Sequence, residues 1–127
     1  MVALIEVGIQ IEALIEVEDK FFMKNQIIKK IISFKSEEKA KSNAINLIEK
    51  LKISTINKIS SVHYSINGTV SFIFENENND RVSFEIGNNN YSFYTKINNL
   101  KTLFFKGTVD NKDQYWVKLL ENEVKKI

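Results

Sequence analysis

The chain has 127 residues, a formal net charge of +2, no cysteine, no proline and one histidine. That length buries the core of one domain without staples. The missing thiols exclude a disulfide framework, a thiolate zinc site and a cysteine nucleophile, and a lone imidazole excludes a multi-histidine metal centre, so no cofactor is expected.

Residues 1–17 are apolar but interrupted by Glu6, Glu12 and Glu16, with no basic residue ahead of them. A secretory leader needs a positive start and an unbroken apolar centre, and a membrane span needs roughly 20 apolar residues. The expected location is therefore the cytoplasm, away from any membrane, where a chain without cysteine is at home. Ile5, Val7, Ile9 and Ile11 alternate with Glu6, Gly8, Gln10 and Glu12 as in a strand, while Leu4, Val7, Ile11, Leu14 and Ile15 equally satisfy helical spacing. The β-branched residues and Gly8 favour extended structure over 2–11. A strand there needs a sheet edge or a second copy of itself, which makes residues 1–17 a candidate homodimer contact.

Charge is unevenly spread. The first nineteen residues carry only acids (Glu6, Glu12, Glu16, Glu18, Asp19), whereas lysines dominate from Lys20 to Lys58. Such asymmetry occurs in nucleic-acid binders. However, Arg81 is the sole arginine, and phosphate-reading surfaces draw on arginine's forked donors, so solvated lysine faces on helices are the preferred reading. The abundance of isoleucine, lysine and asparagine reads as codon usage in a low-GC genome.

From Asp19 to Ile32 the pattern turns helical. Asp19 is placed to cap, and Met23, Ile27, Ile28, Ile31 and Ile32 form one stripe. A second helix is predicted from Ser36, with Glu37 and Glu38 in its first turn and Ala40, Ala44, Leu47, Ile48 and Leu51 on its apolar face. The helical part thus runs over 19–52.

Residues 59–109 read as an antiparallel sheet. Val62 and Tyr64, then Val70, Phe72 and Phe74, then Val82, Phe84 and Ile86, then Tyr91 and Phe93 alternate with polar residues. Parity sets the register. Keeping the apolar sets on one face requires a three-residue loop, Ile66-Asn67-Gly68, with Gly68 left-handed. Tyr64 then pairs with Val70, Val62 with Phe72, and His63 with Ser71. A five-residue loop, Asn76 to Asp80, sets Phe74 against Val82, Phe72 against Phe84, and Glu75 against Arg81 as an opposite-charge pair. A turn through Gly87-Asn88-Asn89-Asn90 sets Phe84 against Phe93. After Asn98-Asn99 a fifth strand carries Leu103, Phe105 and Val109 inward and Phe104 outward. Asp113 is placed to cap a terminal helix over 113–126, with Tyr115 or Trp116, Leu119, Leu120 and Val124 on its apolar face.

The chain contains no glycine-rich phosphate loop, no Gly-x-Ser-x-Gly elbow and no His-Glu-x-x-His. The register does gather one polar constellation: His63, Ser71 and Glu85 side by side, with Ser65, Ser83, Ser92 and Tyr94 around them. Serine, histidine and carboxylate are the parts of a nucleophilic triad, but a sheet face supplies no oxyanion hole. A solvated face or a binding surface fits these residues better. The candidate partner-binding residues are His63, Ser71, Ile73, Ser83, Glu85 and Tyr94.

The run from Ala44 to Leu51, the stretch Ser65-Ile66-Asn67-Gly68-Thr69-Val70-Ser71-Phe72-Ile73-Phe74 and the strand Val82-Ser83-Phe84-Glu85-Ile86 together resemble a recurrent type of small bacterial protein. Its members carry a helix ending in leucine, a short linker, an Asn/Asp-Gly turn and two alternating strands, and some are encoded beside toxin–antitoxin or phage-defence genes. This chain departs from the type in residues 1–17 and in lacking a proline before the hairpin. The resemblance brings no catalytic residues.

The expectation is an α+β fold forming a single domain over residues 1–127: two N-terminal helices, a four- to five-stranded antiparallel meander and a C-terminal helix. The expected function is non-enzymatic protein binding of the immunity, antitoxin or anti-defence sort, acting by surface complementarity with a protein partner. The competing expectation is a small-ligand or nucleic-acid binder using a sheet–helix pocket or the lysine-rich helices.

Overall fold

A computed structural model describes residues 22–110 and 112–127. The expectations for residues 1–17, and the cap at Asp19, lie outside the described residues. The fold is α+β. Helix α1 (residues 22–32), α2 (Glu38–Lys50) and the short α3 (Ile53–Ile56) precede a five-stranded antiparallel sheet, and α4 (Tyr115–Lys125) follows it. The strands β1 (Ile59–Tyr64), β2 (Val70–Glu75), β3 (Arg81–Ile86), β4 (Asn90–Ile97) and β5 (Leu100–Thr108) lie in chain order, so β1 and β5 are the sheet's edges.

Alternation decides which face is buried. Phe72, Phe74, Phe84 and Phe93 are at most 1% exposed. They meet Ala44, Leu47 and Ile48 of α2, Ile31 of α1, and Trp116, Val117, Leu120 and Val124 of α4. The aromatic rings form a stack that ends on α4: Phe84 and Tyr91 each face the Trp116 indole, at centroid distances of 6.2 and 5.3 Å. The Trp116 Nε1–H donates to the Asp110 carbonyl at 3.0 Å, so the polar end of this core side chain is satisfied. Gly107 stands opposite Tyr91 across β4 and β5. A Cβ there would lie 2.7 Å from the phenol oxygen. Burial raises the Tyr91 pKa, with the nearby Tyr115 adding to it.

The register follows the parity argument. Tyr64 pairs with Val70, Val62 with Phe72, His63 with Ser71, Phe74 with Val82, Phe72 with Phe84, Glu75 with Arg81, and Phe84 with Phe93. Gly68 has φ +84° at the end of its three-residue loop. Its carbonyl accepts the Glu37 N–H at 3.3 Å, tying the hairpin tip to the start of α2.

Several expectations change. A bulge at Ser60 puts Ile59, rather than Ser60, across from Phe74. The extra residue returns Ile59 to the core face, while the Ser60 hydroxyl donates to the Ile73 carbonyl and to Glu75. Helix α2 begins at Glu38, not Ser36, and Glu37, its N-cap, makes no side-chain cap bond. Instead the Ala40 N–H in its first turn donates to Asn88 Oδ1 at 3.0 Å, so the cap comes from the β3–β4 turn. Asn43 Nδ2 answers by donating to the Gly87 and Asn88 carbonyls, each at 3.0 Å, and Lys39 Nζ reaches Asn89 Oδ1. Asn79, Asn98 and Asn99 hold left-handed φ values of 64°, 55° and 61°. Asparagine tolerates that region because its short side chain bonds locally. These asparagines do structural work that codon usage does not explain.

Ile32, expected on the core stripe, is 58% exposed at the end of α1. The carbonyls of Ile32 and Phe34 there accept the Lys41 ammonium of α2. Helix α3 is an element the spacing did not predict; Glu121 of α4 accepts the Lys52 N–H at 2.9 Å in front of it. The last helix starts at Tyr115, two residues after Asp113, whose carboxylate accepts the Tyr115 N–H at 2.9 Å. Trp116, not Tyr115, is the buried residue.

Candidate functional site

The helices pack on the aromatic face, and the opposite face of the sheet is partly to fully exposed. Strand pairing lays out that open face in rows. One row reads His63, Ser71, Glu85, Ser92 and Lys106 from β1 to β5; the next reads Ser61, Ile73, Ser83, Tyr94 and Phe104. A third brings Glu75, Arg81 and Lys96 together, with an Arg81–Glu75 ion pair at 3.2 Å.

All six candidate residues, His63, Ser71, Ile73, Ser83, Glu85 and Tyr94, line one shallow depression of about 190 Å³ together with Ser92. Serine stands between histidine and carboxylate in the row, so Glu85 is not placed to orient the imidazole as a triad requires. The His63 Nδ1 lies 3.4 Å from the Ser61 hydroxyl, and Glu85 accepts the Thr69 hydroxyl. A larger concavity of about 740 Å³ adjoins the first, sharing Glu85 and Ser92, and is lined also by Thr69, Asn90, Phe104 and Lys106.

Phe104 and Lys106 were not among the candidate residues, yet they complete the two rows on β5. Phe104 is 60% exposed, and its cross-strand neighbour Tyr94 is 37% exposed. Two aromatic residues therefore stand side by side in a field of hydroxyls. The signal for Phe104 lay in the sequence: beside the inward Phe105 it had to face away. Extending the register one strand further brings Tyr94 against it.

Hydroxyl-bearing side chains suit such a face because water or a partner can satisfy them equally well. The rings of Tyr94 and Phe104 gain nothing from water, so the adjacent pair offers apolar area that a complementary surface can bury. Among the described residues no helix is long and apolar enough to cross a membrane. Comparison with known proteins gave no match to a family model, to a curated protein or to a solved structure.

Proposed function

We propose that this protein is a non-enzymatic binding module that engages a protein partner through the open face of its sheet, in the manner of an immunity protein or antitoxin. The observation that carries this reading is the exposed Tyr94–Phe104 pair, set among serines and flanked by charges of both signs. An apolar aromatic centre with a polar, hydrogen-bonding surround is the anatomy of a non-obligate interface. Glu85, Lys106, Arg81 and Lys96 would set orientation and partner choice, since charges at a rim act more on specificity and encounter than on raw affinity. The fold supports the same reading: the buried face alone holds the sheet to its helices, leaving the other face free to be shaped by a partner.

The test is copurification of tagged protein from its native host, with a Tyr94→Ala/Phe104→Ala variant alongside. The expected result is a stoichiometric complex with one protein, weakened at least 100-fold in the double variant while circular dichroism and thermal midpoint stay near wild type. Hot-spot aromatics are worth about 2 kcal/mol or more each, which sets that scale. A complex that survives the double substitution overturns the assignment of the site; a protein that recovers alone overturns the function.

A further inference from the structure

One row of the open face sets like charges side by side. From β2 to β5 the register reads Glu75, Arg81, Lys96 and Lys101, so cationic residues take successive positions across β3, β4 and β5. The carboxylate at the end of that row is half-buried and already engaged: Glu75 pairs with Arg81 at 3.2 Å and accepts the Ser60 hydroxyl at 2.9 Å. Lys96 is exposed and stands directly opposite Arg81. Residues opposed in an antiparallel pair hold their Cβ atoms about 5 Å apart, and like charges there destabilise the sheet. A serine, as at Ser83 and Ser92 nearby on the same face, would fill the position without that repulsion. Lysine on an edge strand guards against aggregation, but β4 is an interior strand, so that role does not account for Lys96.

We propose, building on the binding role given above to the open face, that the protein partner presents an acidic surface, with carboxylates against Lys96 and an apolar side chain on Tyr94 and Phe104. Lys96 follows Tyr94 by two residues on β4, and same-face neighbours along a strand stand about 7 Å apart. One contiguous surface therefore meets the cationic row and the aromatic pair together. Partner carboxylates relieve the repulsion between Arg81 and Lys96, so a charge that costs stability in the free chain favours the complex. Glu85 does not supply that relief. It pairs with Ser92 across β3 and β4, on the other side of the aromatic row, and accepts the Thr69 hydroxyl. Its charge also disfavours a nucleic-acid strand on this face, since it repels phosphate. Arg81, whose forked donors would read phosphate, is committed to Glu75.

Lys96→Glu separates the free chain from the complex, because the new carboxylate suits Arg81 across the strand but repels an acidic partner. The experiment measures the thermal midpoint of the free full chain and its affinity for the copurified partner, in about 50 mM and about 0.5 M salt. Lys118→Glu, on the exposed side of α4, is the control. The expected result is a raised midpoint for Lys96→Glu, with affinity lowered about 10-fold or more in low salt and most of that difference lost in high salt. Lys118→Glu leaves the affinity unchanged. An affinity that ignores Lys96→Glu, while Tyr94→Ala/Phe104→Ala breaks the complex, overturns the acidic partner and leaves the binding face standing. A complex indifferent to both sets of substitutions, or a chain that recovers no partner, overturns both. A midpoint that falls in Lys96→Glu shows that Lys96 is not repelled in the free chain and overturns the proposal. Single-stranded oligothymidylate that binds the free chain in low salt and is lost in Lys96→Glu also overturns it, because the row then serves phosphates.

Discussion

Strand β3 holds two different chemistries one residue apart. Val82, Phe84 and Ile86 are at most 1% exposed beneath the helices, while Arg81, Ser83 and Glu85 between them lie on the open face. The backbone, the register and the neighbours in the ladder are shared. On the covered face each side chain must fit rings and methyl groups from three helices, so shape constrains the choice tightly. On the open face the requirement is only that polar groups find water or one another. Stability therefore rests on one half of the sheet's residues, and the other half is available for recognition.

The largest break of this contrast comes from adjacent substitutions in that strand. Phe84 touches Phe72, Tyr91, Phe93 and Trp116 at centroid distances of 5.9–6.2 Å. Phe84→Ala is expected to cost about 3–5 kcal/mol, from lost transfer energy and the cavity left behind. Ser83→Ala, one residue away and facing the other side, should stay within about 0.5 kcal/mol. Urea denaturation of both variants measures the difference directly. Comparable losses would mean that the open face is packed against something that also stabilises the fold.

The same asymmetry explains what the sequence made legible. Period-two alternation and parity carry the meander and its register, because a one-residue slip would turn Phe72, Phe84 and Phe93 into water. Placing His63, Ser71 and Glu85 in one row needed nothing more. The parts that escaped are set by contacts distant in the chain. The start of α2 depends on Asn88, 48 residues away from Ala40, and nothing in the residues around Ser36 reports that contact. The Ser60 bulge is a one-residue insertion that a short strand conceals. Helix α3 is four residues long, below any helical period, and depends on Glu121 from the far end of the chain. Tyr64 obeys the alternation yet is 43% exposed, because it sits on the edge strand, where Phe34 meets its ring at a tilt, centroids 4.9 Å apart. Phe104 and Lys106 belong to rows whose last member sits on β5, which the three earlier hairpins do not reach.

A second substitution tests how tightly the covered face is packed where it meets α4. Gly107→Ala puts a methyl group 2.7 Å from the Tyr91 oxygen and 2.9 Å from its ring carbons, and Tyr91 is held in turn by Trp116. The ring also stacks with Phe84 and Phe93, so making room for the methyl group means shifting it against three aromatic neighbours. The expected cost is about 1–3 kcal/mol, the range for an added methyl in a filled core. Trp116 fluorescence should shift with it, since the indole stacks on the displaced ring. A neutral substitution with unchanged emission would show that the β5 edge gives way, and that covering by α4 is looser than covering by α2.

The smallest effect lies at the end of the sheet, where neither face dominates and two turns are tied by one carboxylate. Asp80 accepts the Asn98 backbone N–H at 2.9 Å and the Asn76 amide at 3.0 Å, linking the β2–β3 loop to the β4–β5 turn. Those bonds, the Asn98 one first, lower the Asp80 pKa below its ordinary value. A carboxylate held lower in the folded state stabilises it above the unfolded pKa, and the contribution fades as pH falls through the folded one. Thermal midpoints followed downward from roughly pH 5 to pH 2 should therefore drop more steeply for wild type than for Asp80→Asn. The difference should be slight, since the carboxylate stands in water. Curves of equal slope would mean that the two turns are held in place by strand register alone, and that the ends of the sheet owe their order to the covered face.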